Sequence, residues 1–287
     1  MANLRELRKR IASVKNTQKI TNAMKMVSAA KLRRAEETIK AARPFADKMR
    51  DVLMSLAART NPRAHPLLAV QPPEKALLVL ITADRGLCGA FNANLNRRAE
   101  AFAREMGEKG VHVDMINIGR KGHDYFRRRK INIVEAFLNV MNTITYELAG
   151  SIVSLAVDKF TAGEYQEVYV LYNSFRSAVR QVLTLRKLLP VTPEEEGWQR
   201  RRPYLYEPSE EELLDFILPR YVQLQVFTGL LDSVAAEHGA RMTAMEAATS
   251  NADEMIYRLT LKLNRLRQES ITTELMEIVG GAEALKG

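Results

Sequence analysis

The sequence has few of the residues that build disulfides, metal sites and membrane spans. Its single cysteine, Cys88, excludes an internal disulfide and is typical of a reducing compartment. The four histidines are scattered, without the spacing of a metal-ligand set. The longest mainly apolar run, residues 76–83, falls well short of the ~20 residues that a membrane span needs. Charge begins at Arg5 with no apolar core before it, so we expect no secretory signal.

Charge is plentiful and unevenly distributed along the chain. The 287 residues carry a net charge of +9. Residues 1–50 contain 14 basic and 4 acidic residues, whereas residues 209–287 contain 7 basic and 13 acidic ones. A basic segment can bind nucleic acid or another anionic surface. It can also pair with an acidic helix, because complementary charge sets partner and orientation in coiled coils.

Both ends of the chain have the apolar periodicity of long helices. About 80 Å of helix is predicted from residue 3 to 58 and about 110 Å from 209 to 285. Pro44 should bend the first helix or mark a join, and Pro219 should kink the second helix or break its first turns. Neither helix is stable alone, because its apolar stripe needs a partner. The two helices should therefore pair, and they should run antiparallel. The predicted seam consists of Leu4, Leu7, Ile11, Val14, Ile20, Met24 and Val27 in the first helix and Met245, Ala248, Ala252, Met255, Leu259, Leu263 and Leu266 in the second.

The middle of the chain has the alternating pattern of an α/β domain. Strands are predicted near residues 76–83, 111–118 and 168–172, with 179–188 as a hairpin partner, and helices near 92–107, 120–129 and 143–161. This order predicts a largely parallel, Rossmann-like sheet flanked by helices. We therefore predict four segments, namely a helix at 1–59, a linker at 60–75, an α/β domain at 76–208 and a helix at 209–287. The fold class is mixed α/β with a long antiparallel coiled coil.

The turn at residues 84–89 lies where a phosphate-binding loop would follow a strand. It lacks the third glycine of a dinucleotide fingerprint and the Lys-Ser/Thr of a P-loop, so a structural turn is the stronger interpretation. Cys88 within it has no evident histidine partner, which favours a buried thiol over a nucleophile. The basic run from Arg127 to Lys130 is more typical of a solvated face than of a nucleic-acid patch. We expect no catalytic residue, cofactor or metal.

Four blocks of sequence resemble one family, the gamma subunits of rotary F-type ATP synthases, in their bacterial form. They are residues 10–27, the 84–89 turn, Tyr204–Pro208, and residues 271–284 with the spacing of Ile271, Thr272, Glu274, Glu277, Gly281 and Ala282. The resemblance spans nearly the whole chain in family order. The inserted cysteine pair that acts as a redox switch in plant chloroplast members is absent.

The resemblance implies a central rotor shaft without an active site, which couples rotation of a membrane ring to ATP synthesis or hydrolysis at the beta subunits. Its implied partners are three alpha subunits, three beta subunits, an epsilon subunit and the membrane c-ring. It implies a peripheral position on the cytoplasmic face of the cell membrane. Residues implied to contact the catalytic ring are Met24, Arg267, Gln268, Thr272, Glu274 and Glu277. Tyr204 and Glu207 are implied to lie at the foot, facing the rotor ring or epsilon.

Other functions remain open at the level of sequence. A nucleic-acid-binding coiled-coil protein would fit the basic first helix and would bind RNA or DNA in a salt-sensitive manner. A nucleotide-dependent enzyme would use the α/β domain and would bind nucleotide tightly as an isolated chain. A generic structural scaffold would cause no loss of ATP synthesis when the chain is withheld. The sequence does not distinguish proton from sodium coupling, synthesis from hydrolysis, the angular stopping positions of a shaft, or the organism.

Overall fold

The computed structural model describes residues 2–57, 65–129, 131–192 and 210–284. A long helix lies at each end of the described chain, with shorter helices and strands between them. The elements are α1 (Ala2–Ala57), a 3-10 helix (Pro66–Leu68), β1 (Lys75–Ile81), α2 (Phe91–Glu108), β2 (His112–Ile118), α3 (Arg120–Phe126), β3 (Ile133–Phe137), α4 (Tyr146–Thr161), β4 (Glu167–Phe175), β5 (Gln181–Leu189) and α5 (Glu210–Ala284).

The two terminal helices confirm the prediction from periodicity. α1 has 56 residues and α5 has 75, and each is assigned as one uninterrupted helix. Pro44 lies inside α1 and Pro219 lies inside α5. The alternatives of a join at Pro44 and a break at Pro219 are therefore wrong. Proline removes one backbone donor, and packing on the flanking turns maintains the rest of the helix.

The central sheet has five strands in the order β3-β2-β1-β4-β5. Strands β1 to β4 pair in parallel, and β5 returns antiparallel to β4, which confirms the predicted hairpin partner. Strand β3 was not predicted. It has five half-buried or exposed residues at the sheet edge, so its sequence lacks the buried run that identifies the inner strands.

Both faces of the sheet are covered, because side chains alternate along each strand. Leu77, Val79 and Ile81 of β1 point into one core, which also contains Ile152 of α4 and Leu218 of α5. Alternate β1 residues point into a second core formed with α2, whose members include Ala76, Leu78, Leu80, Leu95 and Phe102. Every residue of β1 after Lys75 is completely buried, as expected for the middle of a parallel sheet.

The chain separates into two compact units. We call residues 1–27 with 242–287 the coil unit, and residues 28–241 the α/β unit. The predicted four-segment division stays a prediction, because its boundaries at 59/60 and 208/209 lie outside the described residues.

Pairing in the coil unit is antiparallel. Gln18 of α1 donates to the carboxylate of Asp253, the hydroxyls of Thr21 and Thr249 lie 2.8 Å apart, and Lys25 Nζ lies 3.0 Å from Glu246 Oε1. The α5 partners descend in number as the α1 partners rise. The helices therefore run in opposite directions, as predicted.

The seam of α1 keeps a strict three-four spacing, but its composition changes. After Leu4, Leu7, Ile11 and Val14, the covered positions are Gln18, Thr21 and Lys25. The predicted shift of the stripe to Ile20 and Val27 is wrong, because these side chains are 60% and 57% exposed. In α5, Met255 is also exposed, and the half-buried seam residue is Ile256. An apolar pattern alone does not distinguish a seam residue from an apolar residue that faces outward.

Candidate functional site

The residues implied to contact a catalytic ring all belong to the coil unit, but they lie at two levels. Gln18 lies opposite Asp253 in the antiparallel pair. Leu4 is fourteen residues before Gln18 and Arg267 is fourteen residues after Asp253, so Leu4 lies opposite Arg267. Arg267 therefore lies at the last paired level of α5. Met24 is twenty residues from Leu4, or about 30 Å along the helix. The structure does not bring Met24 together with the other five residues.

The α5 segment at residues 271–282 extends past the described end of α1 and is exposed at every position. Gln268, Thr272, Glu274 and Glu277 occupy this end of the helix. Their described contacts stay within α5, since Thr272 donates to the Gln268 carbonyl (2.9 Å) and Ser270 donates to Glu274 (3.3 Å). The carboxylate of Glu277 has no hydrogen-bond partner among the described residues. These polar groups are available to a surface outside this chain.

Large apolar side chains share this exposed segment, and Ile271 among them belongs to the family spacing described above. Fractional exposures run from 46% to 67% for Ile271, Leu275, Met276, Ile278 and Val279. A second exposed group in α1 contains Ile20, Met26 and Val27. Ile20 and Val27 are among the predicted seam residues, so periodicity did not identify this exposed group. Exposed apolar patches of this kind mark surfaces for other proteins.

The charge of the two helices is only partly compensated within the coil unit. Residues 2–27 contain seven basic residues and one acidic residue. Lys25–Glu246 is the interhelical ion pair described in this unit, and Arg258–Glu254 and Arg265–Glu269 lie within α5. The predicted charge complementarity between α1 and α5 is therefore represented by one ion pair among the described residues. Most of the α1 cations face solvent.

Tyr204 and Glu207, the residues implied at the foot, lie outside the described residues. Met24 is half-buried on α1 and has contacts within the chain. It is thus a partly covered side chain beside the polar part of the seam.

The turn at residues 84–89 is built as a junction within the α/β unit. Asp84 accepts backbone N–H bonds from Arg120 (3.0 Å), Asn139 (2.8 Å) and Met141 (3.0 Å), which ties β1 to the loops after β2 and β3. Gly119, with φ +88°, must be glycine, because a Cβ there would lie 2.1 Å from the Thr82 carbonyl oxygen. The turn is thereby fixed by hydrogen bonds to its own unit.

Arg241 of α5 donates hydrogen bonds to backbone carbonyl groups of the same turn. Its guanidinium donates to the Gly86 carbonyl (3.1 Å) and to Glu237 (2.6 Å), and both charged side chains are buried. Burial raises the pKa of Glu237, and Arg241 opposes that rise. Burial and the nearby Arg241 lower the pKa of His238 to about 4, so this imidazole is neutral at pH 7.

Cys88 is 2% exposed, which confirms the interpretation as a buried thiol. Burial raises the pKa of this thiol, and that disfavours the nucleophilic thiolate.

Among the described residues, no group of His, Cys, Asp and Glu side chains has an arrangement that could hold a metal ion. Across the same ranges, no helix is both long and apolar enough to cross a membrane.

The geometry defines a protein with two long helices in an antiparallel coil, outward-facing apolar and charged surfaces, and a Rossmann-like unit. The model of the ATP synthase family matches residues 3–285. The ATP synthase gamma chain of Geobacter metallireducens is 51% identical over 288 residues, and that of Pelotomaculum thermopropionicum is 48% identical over 287, with both chains covered completely in each comparison.

Two solved structures have the same fold. A chain from the central stalk and c-ring of the Tetrahymena thermophila mitochondrial ATP synthase is 27% identical, with a TM-score of 0.61, over 80% of this chain and 99% of that one. A chain from the rotor of the Euglena gracilis enzyme, in rotational state 1, is 21% identical, with a TM-score of 0.68, over 94% and 99%.

The chain belongs to the family of ATP synthase gamma chains. It is thus a peripheral, non-catalytic stalk subunit of that complex. The comparisons do not support the alternative of a nucleic-acid-binding coiled-coil protein.

Proposed function

We propose that this chain is the rotating shaft of a bacterial ATP synthase and couples ion flow through a membrane c-ring to catalysis on beta subunits. The coil unit would lie within a ring of three alpha and three beta subunits. The α/β unit would contact epsilon and the c-ring on the cytoplasmic face of the cell membrane. The observation that most supports this is the exposed α5 end, which presents apolar and acidic side chains uncovered by any described part of the chain.

The coil unit offers a different surface in each direction. One side of α1 is basic, the end of α5 is acidic and apolar, and Ile20, Met26 and Val27 form an apolar strip between cations. In a threefold ring, each catalytic subunit would therefore contact a different face. A face shifts the open-closed equilibrium of its neighbour only by contacting one state better than the other. A shift from 1:99 to 99:1 requires about 5.5 kcal/mol, which a few charged contacts can supply.

The six coil residues have separate roles in this proposal. Arg267 and Gln268, at the last paired level, and Glu274 and Glu277 beyond it would bind polar groups of the beta subunits. Thr272 would face the same ring, although its hydroxyl is used within α5. Met24 would contact the ring about 30 Å away along the coil. Tyr204 and Glu207 would contact epsilon or the c-ring at the foot.

Met24→Lys tests the coupling role directly. A cation beside the half-covered Met24 position adds to an already basic helix face and should weaken productive contact with the ring. We expect fewer protons pumped per ATP hydrolysed in membrane vesicles that carry the assembled variant, while ATP hydrolysis persists. Val70→Lys, at a 69% exposed position of the α/β unit, is the matched control. An unchanged proton-to-ATP ratio in Met24→Lys would remove Met24 from the coupling surface.

Truncation tests the role of the tip. The last positions include Gly280, Gly281 and Ala282, which are small enough to turn within an apolar collar without interlocking. Removal of residues 280–287 should weaken assembly more than it slows ATP-driven rotation, measured by single-molecule rotation and by subunit retention on gel filtration. A truncated complex that assembles fully but does not rotate would contradict this bearing role.

A further inference from the structure

The α/β unit contains a cleft that the shaft role does not use. Its volume is about 560 Å³, and it lies between the second half of α1, the β4–β5 hairpin and α5. This volume falls within the range of about 300–1,000 Å³ that small-molecule sites occupy. The floor includes the buried side chains of Tyr172, Val191 and Leu231. The cleft thus has an aromatic and aliphatic floor of ligand-binding size.

The walls of the cleft carry an excess of positive charge. Five cations line it against two carboxylates, those of Asp47 and Asp232. The cations are Arg43, Arg50, Arg176, Arg186 and Lys187. Lys187 is neutralised by Glu167, 2.6 Å away. The remaining four arginines therefore exceed the two carboxylates of the cleft.

Three of the arginines line the cleft together with Asp232. Asp232 accepts a hydrogen bond from Ser174 (2.9 Å), and burial raises the pKa of its carboxyl. Arg43, Arg176 and Arg186 oppose that rise, so all three guanidiniums act on the same carboxylate. Arg43 comes from α1, whereas Arg176 and Arg186 come from the β4–β5 hairpin, which is remote from α1 in sequence. One carboxylate cannot neutralise three cations.

The hydrogen-bonding capacity of these arginines is largely unused. Arg186 donates to Gln225. Within the part of the chain that the structure describes, the guanidiniums of Arg43, Arg50 and Arg176 have no ion-pair partner. A guanidinium presents a planar fork of donors that matches phosphate oxygens in pairs, so several separate forks suit several linked phosphates.

We propose that this cleft binds a polyphosphate group, either as free inorganic polyphosphate or as the phosphate tail of a nucleotide. Arg43, Arg176 and Arg186 hold the phosphates, and Asp232 limits the affinity by competing for the same cations. The buried floor at Tyr172 receives the organic part where there is one. This site is separate from the 84–89 turn and is independent of the shaft role.

Calorimetric titration of the full chain with sodium tripolyphosphate, at 50 and 150 mM salt, tests the proposal. Arg43→Gln, Arg176→Gln and Arg186→Gln should each weaken binding about tenfold, since each removes charge-assisted contacts to phosphate. Asp232→Asn should tighten binding about threefold, because it removes the competing carboxylate. All four are partly or fully exposed positions, and circular dichroism checks that each variant is folded.

Arg128→Gln is the matched control, since Arg128 is exposed at the end of α3 and does not line the cleft. It should change the affinity less than about twofold, beyond the general effect of one charge. Equal affinity for ATP and tripolyphosphate would support binding through the phosphates alone, and tighter binding of ATP would support a nucleotide. No binding at 150 mM salt, an equal loss in Arg128→Gln, or tighter and Arg43-dependent binding of a hexaglutamate peptide would overturn the proposal.

Discussion

The two units of this chain use apolar residues in opposite ways. In the α/β unit, the five residues of β1 from Leu77 to Ile81 are completely buried between two cores. In the coil unit, the seam passes through Gln18, Thr21 and Lys25, while Ile20, Met26 and Val27 face outward. The α/β unit therefore satisfies its own apolar surface. The coil unit leaves much of its apolar surface exposed, as surfaces that bind other proteins are.

The comparison has a consequence for stability. A sheet covered on both faces gains from burial along each strand, whereas a two-helix coil with polar seam positions gains much less. We expect the α/β unit to contain the most protected amides of the free chain, and the coil unit to exchange faster. The following variants test this difference, in order of the size of the expected effect.

Arg241→Met should have the largest effect. It leaves the buried carboxylate of Glu237 without its partner, which costs about 3–5 kcal/mol when one member of a buried pair is removed. It also releases the 84–89 turn from α5. Urea unfolding monitored by circular dichroism gives the loss, and the double variant Arg241→Met with Glu237→Leu should recover much of it. A single variant as stable as the native chain would show that the pair adds nothing to the α/β unit.

The same variant has a defined dependence on pH. Burial raises the pKa of Glu237, so the native state binds this proton more tightly than the unfolded chain does. Ionisation of Glu237 therefore lowers the free energy of unfolding as pH rises through the interval between the ordinary and the raised pKa. Without Arg241 the pKa rises further, so the deficit should be largest at neutral pH and shrink as pH falls toward the ordinary glutamate range. A deficit that grows on acidification would contradict this account.

Leu78→Ala should cost about 2–5 kcal/mol, because it opens a cavity at a fully buried position of β1. Leu263→Ala, at a half-buried seam position of α5, should cost under about 1 kcal/mol, since solvent already reaches this side chain. Hydrogen exchange resolved by peptide distinguishes the two units, which need not unfold together. Equal losses would remove the proposed difference between a packed core and an open seam.

The smallest effect is expected for the pair Thr21→Val with Thr249→Val. The two hydroxyls lie 2.8 Å apart at a covered level of the coil, and valine has nearly the same shape. Replacing both partners by apolar groups should change stability by less than about 1 kcal/mol, in the stabilising direction if at all. The thermal midpoint of the coil unit, followed by peptide-resolved exchange on heating, measures it. A large loss would assign these threonines a specific role in the register of the two helices.

The fold could be predicted where the chain provides its own partner. The long helices, the inner strands and the β4–β5 hairpin all have patterns set by burial within one unit. Strand β3 was missed because an edge strand with one neighbour needs no continuous apolar run. The seam position of Ile20 was wrong because its apolar side chain faces outward from the coil. Sequence periodicity contains no information on which of two apolar faces meets the partner helix.

The candidate site divides in a similar way. The resemblance to a family supplied Arg267, Gln268 and Glu274 by motif, and the structure places them at exposed positions near the end of α5. The basic cleft was not predicted, because Arg43 is far in sequence from the hairpin of Arg176 and Arg186, and only the fold brings α1 beside it. Neither the exposed apolar strip of α1 nor Asp232 has a local signal in the chain.

The end of α5 past the first residues of α1 has a further consequence. A single helix of about a dozen residues is marginal in water, and Gly280 and Gly281 lower its propensity further. We expect this segment to unwind in the free chain and to become helical on enclosure by neighbouring subunits. Insertion of the tip is then a coupled folding and binding event, in which entry into the collar and completion of the last helical turns occur together.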